Sequence, residues 1–314
     1  MELLATNYHF TDTQSVYRGE VRDVYVIGDQ LISVSTDRLS VFGHTFTETI
    51  PYKGQVLNQL AYFCAEQVKD IVPHWIESLP DPNASIGKLC KPFEINMVIR
   101  GALIGHAWRV YQTGLREICG IRLPDGLKEY AVLTEPIITP TTKSQNGFET
   151  DIEPADIVTQ GIMSESEYER LAIITRQLFI RGKQLARNKG LVLADTKYEF
   201  GIHDDAFHVI DEIHTPDSSR YFIAKEFDAF VSGKSQKRPK HLSKEYIREW
   251  LLENNFSGLG DQTAPAIPEE IVDELSARYI ELYQKLTGKV FMPRAKAHDI
   301  EKLIKSTIDR NTNF

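Results

Sequence analysis

Cysteine is scarce. Cys64, Cys90 and Cys119 are three in 314 residues, an odd number without metal-ligand spacing. This excludes a disulfide framework and fits a reducing compartment. An excess of positive charge is also missing: 36 Lys and Arg stand against 44 Asp and Glu, a net charge of -8. Nucleic acid is thereby disfavoured as the main partner, because neutralising phosphates needs a basic surface. A local anion pocket is still allowed, since a few residues build one. No apolar run approaches the length that crosses a bilayer. Met1 to Phe10 has neither the basic start nor the apolar stretch of a signal peptide. Internal repeats and low-complexity tracts are absent too. The expectation is a soluble, cytoplasmic protein, with no membrane and no nucleic acid among its partners.

What the chain does contain is an ordinary core-forming share of apolar residues, 42%, with 25% charged. Its pattern is that of an α+β protein. Val21–Val26 and Leu31–Val34, separated by Gly28-Asp29, read as an antiparallel hairpin. Gly54–Lys69 has helical spacing, and a proline-rich stretch from Pro73 to Pro82 breaks it. Phe93–Arg100 reads as strand, and Gly101–Gly105 leads into a short helix through Trp108 and Tyr111. A long loop with Pro136, Pro140 and two threonines precedes Lys143; loops of that length are usually functional. The clearest helix spans Glu165 to Asn188, with Ser164 and Glu167 as a capping box and Gly190 at its end. Beyond Lys225 the chain turns helical after a basic stretch, Gly233–Lys240, which reads as a solvated loop. The best of these helices runs from Pro268 to Thr287. Three regions result: an N-terminal α+β lobe (1–112), a central α+β lobe (113–225) and a helical region (226–314).

The segment most informative about chemistry is Ala194 to Arg220. Asp195, Lys197 and Glu199 alternate, so on a strand they share one face, while Tyr198, Phe200 and Ile202 share the other. A return strand follows through Val209–Ile213. With a three-residue loop after His203, Glu199 faces Asp211; with a two-residue loop it faces Ile210. Two facing carboxylates raise one another's pKa unless a cation lies between them. Mg²⁺ carrying ATP phosphates suits that place, with Lys197 meeting the phosphates. A cross-strand charge ladder without chemistry fits the same pattern. The turn Thr215-Pro216-Asp217-Ser218-Ser219-Arg220 either caps its own backbone or holds an anionic substrate through the serines and Arg220. Gly19, followed by charged residues at a tight turn, is a weak nucleotide signal.

Read together, Tyr17 to Tyr25, Thr36 to Ser40, Lys53-Gly54-Gln55, Val98 to Gly101, Glu135-Pro136-Ile137 with Thr139 to Lys143, Asp195 to Gly201, and Asp211 to Arg220 resemble the phosphoribosylaminoimidazole-succinocarboxamide synthase (SAICAR synthetase) family. The blocks stand in the family's order over about Tyr17 to Phe222. The resemblance implies kinase-like lobes gripping ATP, antiparallel sheets and a C-terminal helical layer. It also implies an ATP- and Mg²⁺-dependent ligase of purine biosynthesis that joins carboxyaminoimidazole ribotide to L-aspartate. By position, it implies that Gly19, Arg22, Lys197 and Glu199 bind ATP and that Glu199 and Asp211 bind Mg²⁺. Arg100, His106, Asp195, Asp217, Ser219 and Arg220 would bind substrate, and Lys143, Lys197 and Asp195 would be catalytic, with Lys143 near the transferred phosphoryl group. Family members often form dimers, so a homo-oligomer is among the implied partners.

Four positions depart from the family pattern. The family's Gly-Lys-Val-Arg reads Gly19-Glu20-Val21-Arg22, and Ser-Ala-Phe-Asp reads Ser40-Val41-Phe42-Gly43. Gly-Ser-Ala-Trp reads Gly105-His106-Ala107-Trp108. The His-Asp pair after the Thr-Thr-Lys loop is missing, with Glu149-Thr150-Asp151 near that place. Three readings stay open: drift in an enzyme of the family reaction, a ligase with a changed carboxylate or amine, and a relative that binds nucleotide without catalysis.

Overall fold

The computed structural model describes residues 2–143, 149–294 and 299–311. The chain begins with an antiparallel meander, β1 (Thr13–Arg18), β2 (Arg22–Ile27) and β3 (Gln30–Ser35). Gly28-Asp29 forms the β2–β3 turn, as its sequence predicts. A ribbon of β4 (Arg38–Val41) and β5 (His44–Thr49) follows, then helix α1 (Lys53–Glu66). Strands β6 (Ile76–Asp81) and β7 (Ala84–Lys88) complete a five-stranded sheet in the order β1-β2-β3-β7-β6. Alternation puts Tyr25, Ile32, Val34, Ala84 and Ile86 on its buried face.

The second sheet has seven strands and is organised around two long ones, β8 (Lys91–Ala102) and, much later, β14 (Leu191–His203). Between them lie α2 (Gly105–Gln112), the pair β9 (Glu117–Ile118) and β10 (Ile121–Arg122), and strands β11 (Val132–Ile138), β12 (Thr141–Thr142) and β13 (Thr150–Asp151). The loop expected before Lys143 is therefore largely structured. β11 pairs with β8 despite Pro136, because β11 lies at an edge and its register shifts between Val132 and Ile137. Helix α3 (Pro154–Thr159) leads to α4 (Glu165–Asn188), which packs across β14. The Ser164–Glu167 capping box is present on both arms, and Leu171, Leu178 and Phe179 are fully buried. Each such side chain contributes roughly 1.5–3 kcal/mol of burial.

After β14 come β15 (Ala206–Ile210), β16 (Ser219–Ile223) and four helices: α5 (Ala224–Val231), α6 (Glu245–Glu253), α7 (Glu269–Thr287) and α8 (Ile300–Asn311). The basic stretch 233–240 is not simply solvated. Arg238 pairs with Glu129 at 2.9 Å and Lys240 with Glu281 at 2.9 Å. α7 packs against α1, while α8 crosses back to cover the first sheet with Ile300 and Ile304. Residues 1–112 thus supply strands to both sheets, and the last helix returns to the first. Among the described residues, no helix is long and apolar enough to cross a membrane.

Candidate active site

The site lies where the edge of the second sheet splits. On one side β14 pairs with β8 along most of its length. On the other, β16 covers its first half and β15 its second. Between β15 and β16, residues 211–218 leave the sheet, anchored by the Lys197 N–H donating to the Ser218 carbonyl at 3.0 Å. A cavity of about 570 Å³ opens over this split and reaches the β1–β2 and β4–β5 turns of the first half of the chain.

Asp195, Lys197 and Glu199 all line the cavity, whereas Tyr198 and Phe200 belong to the core, as strand alternation requires. The β14–β15 connection is a two-residue turn, Asp204-Asp205, with both φ values positive at 49° and 56°. Glu199 consequently pairs with Ile210, which corrects the direct Glu199–Asp211 register that a three-residue loop would give. Asp211 nevertheless reaches the cavity. It is the first residue past β15, and its left-handed backbone (φ 58°) turns the chain out of the sheet.

At this end of the cavity Arg22 bridges two carboxylates, Asp211 at 2.7 Å and Glu212 at 2.5 Å. Glu199 is bound by Lys143 at 2.6 Å and lies 3.5 Å from Lys197, which also holds Glu149 at 2.7 Å. Burial alone would raise the Glu199 carboxyl, but Lys197 and Lys143 outweigh it and hold it below the usual range. Asp211 goes the other way. Burial pushes it up to about 6, with Glu199 and Glu212 adding to the rise against Arg22. Among the described residues, no three His, Cys, Asp or Glu side chains converge as a ready-made metal cage. Glu199 and Asp211 supply hard carboxylate oxygens in one cavity, a donor set that fits Mg²⁺ sharing its shell with phosphate oxygens and water.

The opposite end is an arginine cluster set by strand register. Asp195 is paired in register with Arg100 of β8 and with Arg220 of β16, so the two arginines flank it on the same sheet. Arg220 is bonded to the Asp195 carboxylate and, at 2.9 Å, to Glu245 of α6; Arg100 lies 3.5 Å from Asp195 and donates to Thr139 at 2.9 Å. Arg109 and Arg248 approach Glu245 at 3.7 and 3.4 Å. Arg100, Arg109, Arg220 and Arg248 face two carboxylates, which leaves the cluster a surplus of positive charge suited to an anion. Gly105 is required here. A Cβ at this position would lie 2.1 Å from Arg220 Nη2, and the φ of +56° disfavours any other residue.

Asp217 forms a third group with residues far away in sequence. Its carboxylate pairs with the buried Lys53 of α1 at 3.0 Å, accepts from Tyr279 Oη of α7 at 2.5 Å, and has Lys244 at 3.5 Å. Burial opposes its ionisation, but Lys244 and Lys53 hold it well below the usual carboxylate range.

Arg22, Arg100, His106, Lys143, Asp195, Lys197, Glu199, Asp211, Asp217, Ser219 and Arg220, all singled out from sequence, line this cavity. Gly19 does not. It closes the β1–β2 turn instead, its N–H donating to the Arg22 carbonyl and its own carbonyl accepting from Arg38, both at 2.8 Å. The Ser219 hydroxyl bonds Thr196 at 2.7 Å. Sequence reasoning missed Glu212, Lys244, Glu245, Arg248 and Arg109. Glu212 lay inside a quoted block, but no spacing signal brings Lys244, Glu245 and Arg248 across from α6.

Three of the four departures have side-chain partners. Ser40 donates to Glu20 at 2.5 Å, His106 bonds Asp151 at 2.9 Å, and Glu149 binds Lys197. Gly43 lies in the β4–β5 turn at the cavity rim.

Comparison with known proteins identifies the family. The family model for SAICAR synthetase matches residues 15–263. Phosphoribosylaminoimidazole-succinocarboxamide synthase of Cytophaga hutchinsonii is 47% identical over 96% of this chain and 97% of its own. The protein of that name from Bacteroides fragilis is 46% identical over 98% of both chains. Among solved structures, SAICAR-synthase from Saccharomyces cerevisiae, complexed with SAICAR, superposes with a TM-score of 0.76 at 29% identity, covering 92% of this chain and 99% of that one. The chain belongs to the SAICAR synthetase family.

Proposed function

We propose that this chain is an ATP-dependent carbon–nitrogen ligase that joins carboxyaminoimidazole ribotide to L-aspartate, giving SAICAR, ADP and phosphate in purine biosynthesis. The observation that carries this reading is one cavity with a carboxylate–lysine end and an arginine end, bridged by β14. A ribotide phosphate at Arg100 and Arg220 directs the other end of the molecule toward Lys197, Lys143, Glu199 and Asp211.

In this reading the ribotide carboxylate oxygen attacks the ATP γ-phosphorus and ADP leaves. The aspartate amine then attacks the acyl carbon and phosphate leaves. Arg22 and Lys197 hold the nucleotide phosphates, and Lys143 neutralises the phosphoryl group in transfer. Asp195 orients the ribotide together with Ser219 and the two flanking arginines, while His106 borders the same end. Glu199 and Asp211 would hold Mg²⁺, whose charge, when bound, offsets that of the phosphates. Anionic substrates take over cations that are now engaged by Glu149, Glu199 and Asp211. The rate gain comes from charge neutralisation and alignment.

Incubation with ¹⁵N-labelled aspartate tests the assignment. The label is expected in the new amide nitrogen of the product. ADP formation without labelled amide would overturn the ligase reading.

A further inference from the structure

Behind the arginine end lies a second cavity, of about 260 Å³, bordered by α2, β16 and α6. Gly105, Arg109, Arg220 and Glu245 line both cavities and form the wall between them. The proposed reaction makes no use of this chamber. Trp108, Tyr130 and Phe222 give it aromatic surface. Tyr130 is only 4% exposed, and among the described residues its hydroxyl has no hydrogen-bond partner. Buried hydroxyls are ordinarily bonded, so this one is open to a ligand. Burial raises its pKa, Glu249, Glu129 and Glu245 raise it further, and Arg238 opposes them, which sets the hydroxyl among carboxylates that line the cavity.

The charge of the lining gives the class of ligand. Glu129, Glu245, Glu249 and Glu253 stand against Arg109, Arg220 and Arg238. Glu245 takes Arg220 at 2.9 Å and has Arg109 at 3.7 Å, and Glu129 takes Arg238 at 2.9 Å from the rim. Glu249 has His241 at 3.1 Å, and Glu253 has no ion-pair partner among the described residues. Burial raises the Glu129 carboxyl, and Glu249 and Glu245 add to the rise against Arg238. The chamber is therefore short of positive charge. Its carboxylates do not converge as a metal cage. They only accept hydrogen bonds, so a ligand must bring N–H donors as well as charge. A flat, delocalised cation meets both needs and can lie against aromatic faces. We propose that this second cavity binds a small planar organic cation of the amidinium or guanidinium class, held by Tyr130, Glu129 and Glu249.

Titration calorimetry of the full chain with benzamidine tests this. Saturable binding of one equivalent is expected, with a Kd at or below about 1 mM. Benzamide, its neutral isostere, should bind at least about tenfold more weakly. Tyr130→Phe keeps the ring and removes only the unbonded hydroxyl. Its melting temperature should therefore stay near that of wild type, while benzamidine affinity falls roughly three- to tenfold. Glu249→Gln is expected to cost more than about tenfold. Glu253→Gln, on an exposed part of α6, should also weaken binding and serves should the Glu249 variant fail to fold. No saturable binding in that range, or equal affinity for benzamide, overturns the proposal. So does an affinity left unchanged in Tyr130→Phe and in a folded glutamate variant, which would place the cation in the main cavity.

Discussion

The Arg22 guanidinium, carried by the five-stranded sheet, binds the carboxylate of Asp211, the first residue past β15, at 2.7 Å, across 189 residues of sequence. The contact joins the two halves of the fold at the cavity. Burial and the neighbouring Glu199 raise the Asp211 pKa, and the Arg22 contact opposes that rise.

Turnover is expected to fall at least about 10²-fold in Glu199→Ala and in Asp211→Ala, since in the proposed function each would hold Mg²⁺ beside the phosphates. Circular dichroism should show both variants folded. Near-normal activity in both would refute the metal role.

Asp211 also sets a pH dependence. Its folded-state pKa of about 6 lies above the ordinary 3.8. Between about pH 4 and 6 the folded chain holds a proton that the unfolded chain has released, so this group's stabilising contribution is present at low pH and lost as pH rises through 6. In the proposed function, metal binding at Asp211 needs the ionised form and runs the opposite way. The kcat/KM for ATP should fall below about pH 6, whereas the kcat limb should lie lower because bound metal favours the carboxylate. Coincident limbs in both profiles would count against Asp211 as a metal ligand.

Gly105→Ala is expected to displace Arg220, because the added methyl would meet its guanidinium at 2.1 Å in a left-handed backbone. Stability should drop by roughly 1–3 kcal/mol, and the KM for ribotide should rise more than that for ATP. A variant with an unaltered ribotide KM would place the ribotide phosphate elsewhere.

Local signals made several of these features legible in advance. The capping box at Ser164 fixes the start of α4, and the alternation of Asp195, Lys197 and Glu199 against Tyr198 and Phe200 separates the cavity face from the core face. The turn at Asp204-Asp205 was not decidable, because two non-glycine residues with positive φ leave no distinctive composition. Nor does spacing reveal that β11 joins β8 around Pro136, or that Lys244 and Lys53 meet at Asp217. These contacts depend on long-range register and helix docking, which local periodicity does not encode. The family resemblance pointed to eleven of the residues that line the cavity, because its motifs preserve the outcome of those contacts.

By the family resemblance His106 takes the place of a serine, and it bonds Asp151 at 2.9 Å in the cavity. His106→Ser is expected to change the KM for the ribotide more than that for ATP, since the ring borders the arginine end. Equal effects on both would mean that His106 supports the fold around Asp151 without touching substrate.

Steady-state ADP release with ATP, Mg²⁺, carboxyaminoimidazole ribotide and L-aspartate, each omitted in turn, tests the account most directly. Turnover on the order of 1–10³ s⁻¹ that requires all four is the predicted result. ADP release that persists without ribotide or without aspartate would contradict it.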